Sequence, residues 1–182
     1  MNAADINTAD LAARITACSV LRGSFTLRSG RTSSWYIDKY RFTTQPDVLG
    51  ELAQLAAAAL PNGTDRVAGA ELGGVPLAAA VSMAANVPSL FVRNQKKDYG
   101  TSQRFEGVLE AGDGVVLLED IATSGGQAIE AARDLEAAGA KVLLILVMVD
   151  RLQGAREAVE AAGFTFASVF DVRDLGIDPS TD

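Results

Sequence analysis

Apolar and polar positions alternate along this chain in two distinct rhythms. The clearest apolar run, Val142 to Val149, reads VLLILVMV. Its length and branched residues suit a strand buried on both faces of a parallel sheet. Around it, short apolar runs separate stretches with helical spacing. A helix is predicted from about Thr8 to Cys18. Short strands follow near Phe25 to Leu27 and Trp35 to Asp38, around the turn signal Ser29-Gly30-Arg31. A helix fits Pro46 to Leu60, with proline in its first turn, and stops at Pro61-Asn62-Gly63. Strand and helix then alternate: strand Arg66 to Gly69, helix Pro76 to Ala85, strand Ser89 to Val92, strand Val115 to Leu118, helix Gly125 to Ala138 with Gly139 as its stop. After Val142 to Val149 come a helix, Ala155 to Ala162, and a last strand, Phe164 to Phe170. This order predicts an α/β fold, a parallel sheet flanked by helices on both faces. No internal repeat or low-complexity linker interrupts it.

One stretch has neither rhythm. Asn94 to Glu106 reads NQKKDYGTSQRFE. A loop this long in a compact domain is usually functional or disordered, and an active-site loop is the expectation.

The 182 residues, 48% of them apolar, suit one domain with or without a small appended subdomain. No apolar run approaches the roughly 20 residues that cross a bilayer, so no membrane partner is expected. The polar, acidic start MNAADINTAD does not resemble a signal peptide. The single cysteine, Cys18, excludes an internal disulfide and a cysteine zinc site. It shares a helical face with Leu11 and Ile15 and reads as core. A cytoplasmic location is the expectation from these features.

The net charge of -7 argues against unspecific nucleic-acid binding. Yet the cations are clustered. Arg28, Arg31, Lys39 and Arg41 fall in one window, and Arg93, Lys96, Lys97 and Arg104 in another. Two basic islands in an acidic chain fit either a small, highly anionic ligand or ordinary solvated surface.

The segment richest in chemistry is Val115 to Gln127, VVLLEDIATSGGQ. It is an apolar strand, two acids, and a turn of small residues opening a helix. Small residues let backbone N–H groups crowd round an anion at a helix N-terminus. Thr123 and Ser124 add hydroxyl donors. Glu119 and Asp120 stand at a strand's carboxyl end, where ligands of open α/β sheets bind. Acids repel a bare phosphate but accept hydrogen bonds from sugar hydroxyls, so the combination points to a sugar phosphate. It lacks the spacing and lysine of a P-loop, and it is not a GxGxxG turn.

LLEDIATSGG resembles the phosphoribosyl diphosphate (PRPP) motif of the type I phosphoribosyltransferases. Further segments resemble the orotate-specific branch of that family. FTLRSGRTSSWYIDKY (25–40) is similar to its N-terminal signature, GAELGGVPL (69–77) to its diphosphate-binding loop, and RNQKKDYG (93–100) to its mobile catalytic loop. Val149-Asp150-Arg151 is similar to a segment whose arginine meets the orotate carboxylate. The likeness spans nearly the whole chain in the expected order.

The resemblance implies a single phosphoribosyltransferase domain over 1–182, with about 1–45 forming an N-terminal hood over the base site. It implies transfer of a phosphoribosyl group from PRPP to orotate with release of diphosphate, as in UMP biosynthesis. Lys97, Arg93 and Asp120 are the implied catalytic residues. Arg93, Lys97, Tyr99, Glu119, Asp120, Ile121, Ala122, Thr123, Ser124, Gly125, Gly126 and Gln127 would bind PRPP. Thr123, Arg151, Arg28 and Tyr36 would bind orotate. Mg²⁺ is the implied cofactor, held by PRPP rather than by protein ligands. The implied assembly is a homodimer in which the loop of one subunit completes the site of the other.

Several positions depart from the pattern. Asn94 and Tyr99 stand where lysine and histidine are usual, and the chain has no histidine. Gly73 occupies a position that is lysine in several bacterial forms. Ala122-Thr123-Ser124 replaces a more usual ThrThrGly-like run. Arg28 takes the place of a substrate-contacting lysine. Two other readings stay open: a purine-specific member of the family, and a PRPP-binding regulator without catalysis. Trp35 reads as a core aromatic. Arg151 reads either as a ligand contact or as an ion pair with Asp150.

Overall fold

The computed structural model describes residues 2–26, 32–93 and 104–179. The site calls at Arg28, Lys97 and Tyr99, the turn at Ser29 to Arg31, and most of the aperiodic stretch lie outside them.

The N-terminal part begins with helix α1 (Thr8–Ser19), capped by Asn7, whose side chain accepts from the N–H groups of Ala9 and Asp10. Strands β1 (Val20–Thr26) and β2 (Thr32–Ile37) form an antiparallel pair of their own. The strand β1 begins five residues before the predicted Phe25. A register shift between Arg22 and Phe25 breaks its alternation, which hid the strand in the sequence. Strand β2 alternates exposed and buried positions along its whole length. A one-turn helix, α2 (Lys39–Thr43), follows, with the Asp38 carboxylate accepting from the N–H of Tyr40. Five residues carry no helical period, so sequence patterning gave no sign of it.

Helix α3 (Pro46–Ala58) leads into the main sheet. Its elements are β3 (Arg66–Ala70), α4 (Gly74–Ala85), β4 (Ser89–Val92), β5 (Phe105–Glu106), β6 (Gly114–Ala122), α5 (Gly126–Ala137), β7 (Lys141–Asp150), α6 (Ala155–Ala161) and β8 (Phe166–Asp171). The strand order is β5-β4-β3-β6-β7-β8. All neighbours run parallel except β5, which pairs antiparallel with β4 at one edge. That edge strand corrects the expectation that the aperiodic stretch is loop up to Glu106. Two residues are too few to show alternation.

Two apolar clusters cover the two faces of the sheet. One packs α1, α3 and α4, with Trp35 and Phe42, against residues such as Val67, Val116 and Leu146. The other packs α5 and α6 against Ala68, Leu117 and Ile145. Cys18 is half-buried against the first cluster. Backbones come close where glycine stands: a Cβ on Gly69 would lie 2.0 Å from the Gly74 carbonyl oxygen. This contact brings α4 down onto the end of β3 and shapes the loop beside the site.

Candidate active site

The chain reverses its winding direction between β3 and β6. From β3 it proceeds through α4 to β4 on one side, and from β6 through α5 to β7 on the other. The carboxyl ends of these two central strands therefore leave a crevice, the usual ligand position in an open α/β sheet. A cleft of about 920 Å³ opens there. Thr26, Tyr36, Lys39, Glu119, Arg151 and the turn from Thr123 to Gly126 are among its walls. A smaller cavity of about 290 Å³ adjoins it, walled by Glu71, Leu72, Arg93 and Arg104. Lys39 and Glu119 border both.

The two acids belong to the strand itself. The strand β6 continues to Ala122, four residues beyond the predicted Leu118, because β7 pairs with it up to Ala122↔Asp150. Asp120 is fully buried, and its Oδ1 accepts from the N–H of Ile121 at 2.6 Å. Its Oδ2 lies 3.0 Å from the Lys39 ammonium. Burial pushes the Lys39 pKa down, but the attraction of Asp120, their hydrogen bond and the charge of Glu119 outweigh it, and the net direction is up. Glu119 behaves differently. Its Oε2 is enclosed and has no hydrogen-bond partner among the described residues. Burial first, and then the neighbouring Asp120, push its pKa up to about 8. This raised pKa of Glu119 reduces the repulsion of phosphate expected from two carboxylates.

The small-residue turn follows directly. Gly125 has φ +76°, and a Cβ there would lie 3.1 Å from both the Ala155 carbonyl oxygen and Val159 Cγ2. Conformation and space thus both call for glycine. No side chain caps helix α5, so its first N–H groups are left to a ligand or solvent. Thr123, Ser124, Gly126 and Gln127 are exposed in the cleft, while Ala122 and Gly125 form its buried base and Ile121 is half-buried. The helix start and the turn form an anion cradle.

Across the cleft stands Arg151. Its backbone N–H donates to the Ala122 carbonyl at 3.0 Å, fixing it beside the end of β6. Its guanidinium lies 4.2 Å from the Trp35 ring centroid, a cation–π contact. Trp35 is fully buried, as read from sequence, but it is also the platform under this arginine. Asp150 Oδ1 accepts from the N–H of Leu152 at 2.8 Å. Tyr36 is exposed, its ring 5.7 Å from that of Phe25.

Arg93 follows β4 and borders the smaller cavity, with Nη1 3.4 Å from Glu106 Oε1. Its N–H donates to the Arg104 carbonyl at 2.8 Å, which joins the two flanks of the stretch 94–103. The basic windows therefore divide. Lys39, Arg93 and Arg104 border cavities, Arg104 also reaching Asp134 of α5 at 2.7 Å, whereas Arg41 pairs with Asp38 on the surface. Lys39 is the residue that sequence reasoning did not assign to the site. Only its membership of a basic window pointed to it.

Comparison with known proteins agrees with this geometry. Residues 42–177 match the phosphoribosyl transferase domain family. The orotate phosphoribosyltransferase of Halobacterium salinarum is 43% identical over 169 residues, 92% of this chain and 96% of that protein. The crystal structure of the Mycobacterium tuberculosis orotate phosphoribosyltransferase in complex with PRPP superposes with a TM-score of 0.76 at 32% identity, covering 93% of this chain and 99% of that one. Adenine phosphoribosyl transferase from Trypanosoma brucei shares the fold, with a TM-score of 0.69 at 16% identity over 94% of this chain and 82% of that one. The likeness in sequence over nearly the full length singles out one branch, and the chain belongs to the orotate phosphoribosyltransferase family.

Proposed function

We propose that the chain transfers the 5-phosphoribosyl group of PRPP to orotate, giving orotidine 5′-monophosphate and diphosphate. The observation that carries this reading is that one cleft joins a phosphate cradle and an acid pair to an arginine seated on an indole. The turn from Ala122 to Gln127 takes the 5′-phosphate. Glu119 and Asp120 take the ribose hydroxyls. Arg151 reads the orotate carboxylate, to which its planar guanidinium offers paired donors. Thr123 and Tyr36 border the base, and the segment up to about residue 45 acts as a hood over it within a single domain. Arg28, Lys97 and Tyr99 enter on the resemblance alone: Arg28 at the base, Lys97 and Tyr99 at the diphosphate.

The leaving diphosphate needs its charge neutralised. Arg93 and Lys97 supply part of this. Mg²⁺ bound with PRPP would supply the rest. Among the described residues, Glu119 offers such an ion one enclosed carboxylate oxygen without a hydrogen-bond partner. The reading includes a homodimer sharing the Arg93–Lys97 loop and a cytoplasmic site of action. No helix among the described residues is long and apolar enough to cross a membrane.

The test is to mix the protein with PRPP, Mg²⁺ and, in parallel, orotate, adenine, guanine or xanthine, and to measure diphosphate release. Release with orotate alone is expected. Release only with a purine moves the assignment to a purine-specific enzyme, and PRPP binding without release makes the chain a regulator.

A further inference from the structure

Lys39 is the first residue of α2, on the N-terminal hood, yet its ammonium reaches 3.0 Å from Asp120 Oδ2 at the centre of the main sheet. Bare backbone abuts the same oxygen. A Cβ built on Gly73 would lie 1.4 Å from Asp120 Oδ2 and 3.3 Å from the Lys39 ammonium, so the carboxylate fills the room that any side chain at 73 would need. Three separate segments thus meet at one acid: the hood through Lys39, the β3–α4 loop through Gly73, and β6 through Asp120 itself. Lys39 also borders both cavities, at the seam where a ligand extending from one into the other must pass. A fully buried carboxylate is costly to leave without an opposite charge, so its position follows its partner.

We propose that Lys39 is a positioning residue of the PRPP site: from the hood it holds the Asp120 carboxylate against the backbone of Gly73 and so sets the acid that receives the ribose. This inference rests on the reading of the cleft as a PRPP site. Assembly of the sugar site then depends on docking of the hood. Lys39 acts through Asp120, and its removal damages binding of PRPP more than binding of the base.

A double-mutant cycle tests this, with PRPP affinity measured by calorimetry and KM measured for both substrates. Lys39→Met is expected to weaken PRPP binding at least tenfold and to raise the PRPP KM by more than the orotate KM. Lys39→Arg is expected to restore most of the loss. The double variant Lys39→Met/Asp120→Asn is expected to bind PRPP within about twofold of Asp120→Asn alone, because a residue that acts through Asp120 adds nothing once that acid is neutral. The double variant also keeps the test open if Lys39→Met alone does not fold, since it leaves no unpaired buried charge. Additive losses in the cycle, or an unchanged PRPP affinity in Lys39→Met, overturn the inference and leave the reading of the cleft intact. A wild-type chain that binds no PRPP overturns both.

Discussion

The two walls of the cleft are built on opposite principles. The sugar-phosphate wall is one contiguous segment, in which a buried strand ends in two acids and a glycine-rich turn opens a helix. What it offers a ligand is largely backbone N–H groups, and its demands are conformational, as the +76° φ of Gly125 shows. The base wall is assembled from distant parts of the chain. Arg151 comes from the end of β7, while Trp35 and Tyr36 come from β2 of the hood. Its working group is a single side-chain charge on an aromatic platform. The first wall is therefore sensitive to backbone shape and tolerant of side-chain chemistry, and the second is the reverse.

The largest expected effect is on the base wall. Truncating one partner of a hydrogen-bonded charge pair in a desolvated site costs about 2–5 kcal/mol, which at about 1.4 kcal/mol per tenfold is roughly thirtyfold or more. Arg151→Ala is expected to raise the orotate KM by at least that factor and to change the PRPP KM by less than about threefold. The chain has one tryptophan, Trp35, directly under this guanidinium, so its fluorescence is a local reporter. Orotate is expected to change the emission of the wild type and not that of Arg151→Ala. An equal rise of both KM values, or an orotate response that survives the substitution, would take Arg151 out of the base site.

A smaller effect is expected on the other wall. Gly125→Val asks a β-branched residue to adopt a left-handed conformation and sets its Cβ 3.1 Å from the Ala155 carbonyl oxygen and Val159 Cγ2. The left-handed conformation alone costs about 1–2 kcal/mol, or roughly tenfold, and the crowding adds to it. PRPP affinity is expected to fall by about tenfold or more, with the orotate-side fluorescence response retained. Ser124→Ala, which removes one hydroxyl and leaves the backbone alone, is expected to cost less than about tenfold. If Ser124→Ala proves worse than Gly125→Val, the turn works through its side chains and the contrast between the walls fails.

The same contrast explains what was legible in the sequence. The strand–acid–turn–helix segment could be read directly because it is local: one apolar run, two acids and small residues in fixed order. The alternation of strand and helix from β3 to β8 was equally readable apart from the two-residue edge strand β5, since every buried strand shows its own apolar run. The base wall was legible only as resemblance, because nothing in Trp35 or Arg151 alone announces that they stack. Trp35 was read correctly as buried but not as a platform. Lys39 was one cation of four in its window, and only the fold separates it from Arg41, which pairs locally with Asp38. The extent of β1 escaped because a bulge erased its alternation, and α2 because one turn holds no period.

A further effect belongs to the seam between the walls, where Oε2 of Glu119 is enclosed without a hydrogen-bond partner among the described residues. Burial and the neighbouring Asp120 raise its pKa from the usual 4.5 to about 8 in the folded chain. The unfolded chain gives up this proton near the ordinary value, while the folded chain keeps it. Between pH 4.5 and about 8 the folded state thus binds more protons at this site, and its stability falls as pH rises across that window. Below the window the penalty is absent; above it the penalty is complete. Glu119→Gln removes the titration and keeps the shape. Without ligand, the melting temperature of the variant should match that of the wild type near pH 4.5 and exceed it near pH 8.5. The chain has no histidine, so the side chain that ordinarily titrates between pH 5 and 8 does not blur the comparison. PRPP should narrow the gap, since a ribose hydroxyl gives Oε2 of Glu119 a hydrogen bond it otherwise lacks among the described residues. Melting curves of the two proteins that stay parallel from pH 4.5 to 8.5 would mean that Glu119 is ionised without cost in the absence of substrate.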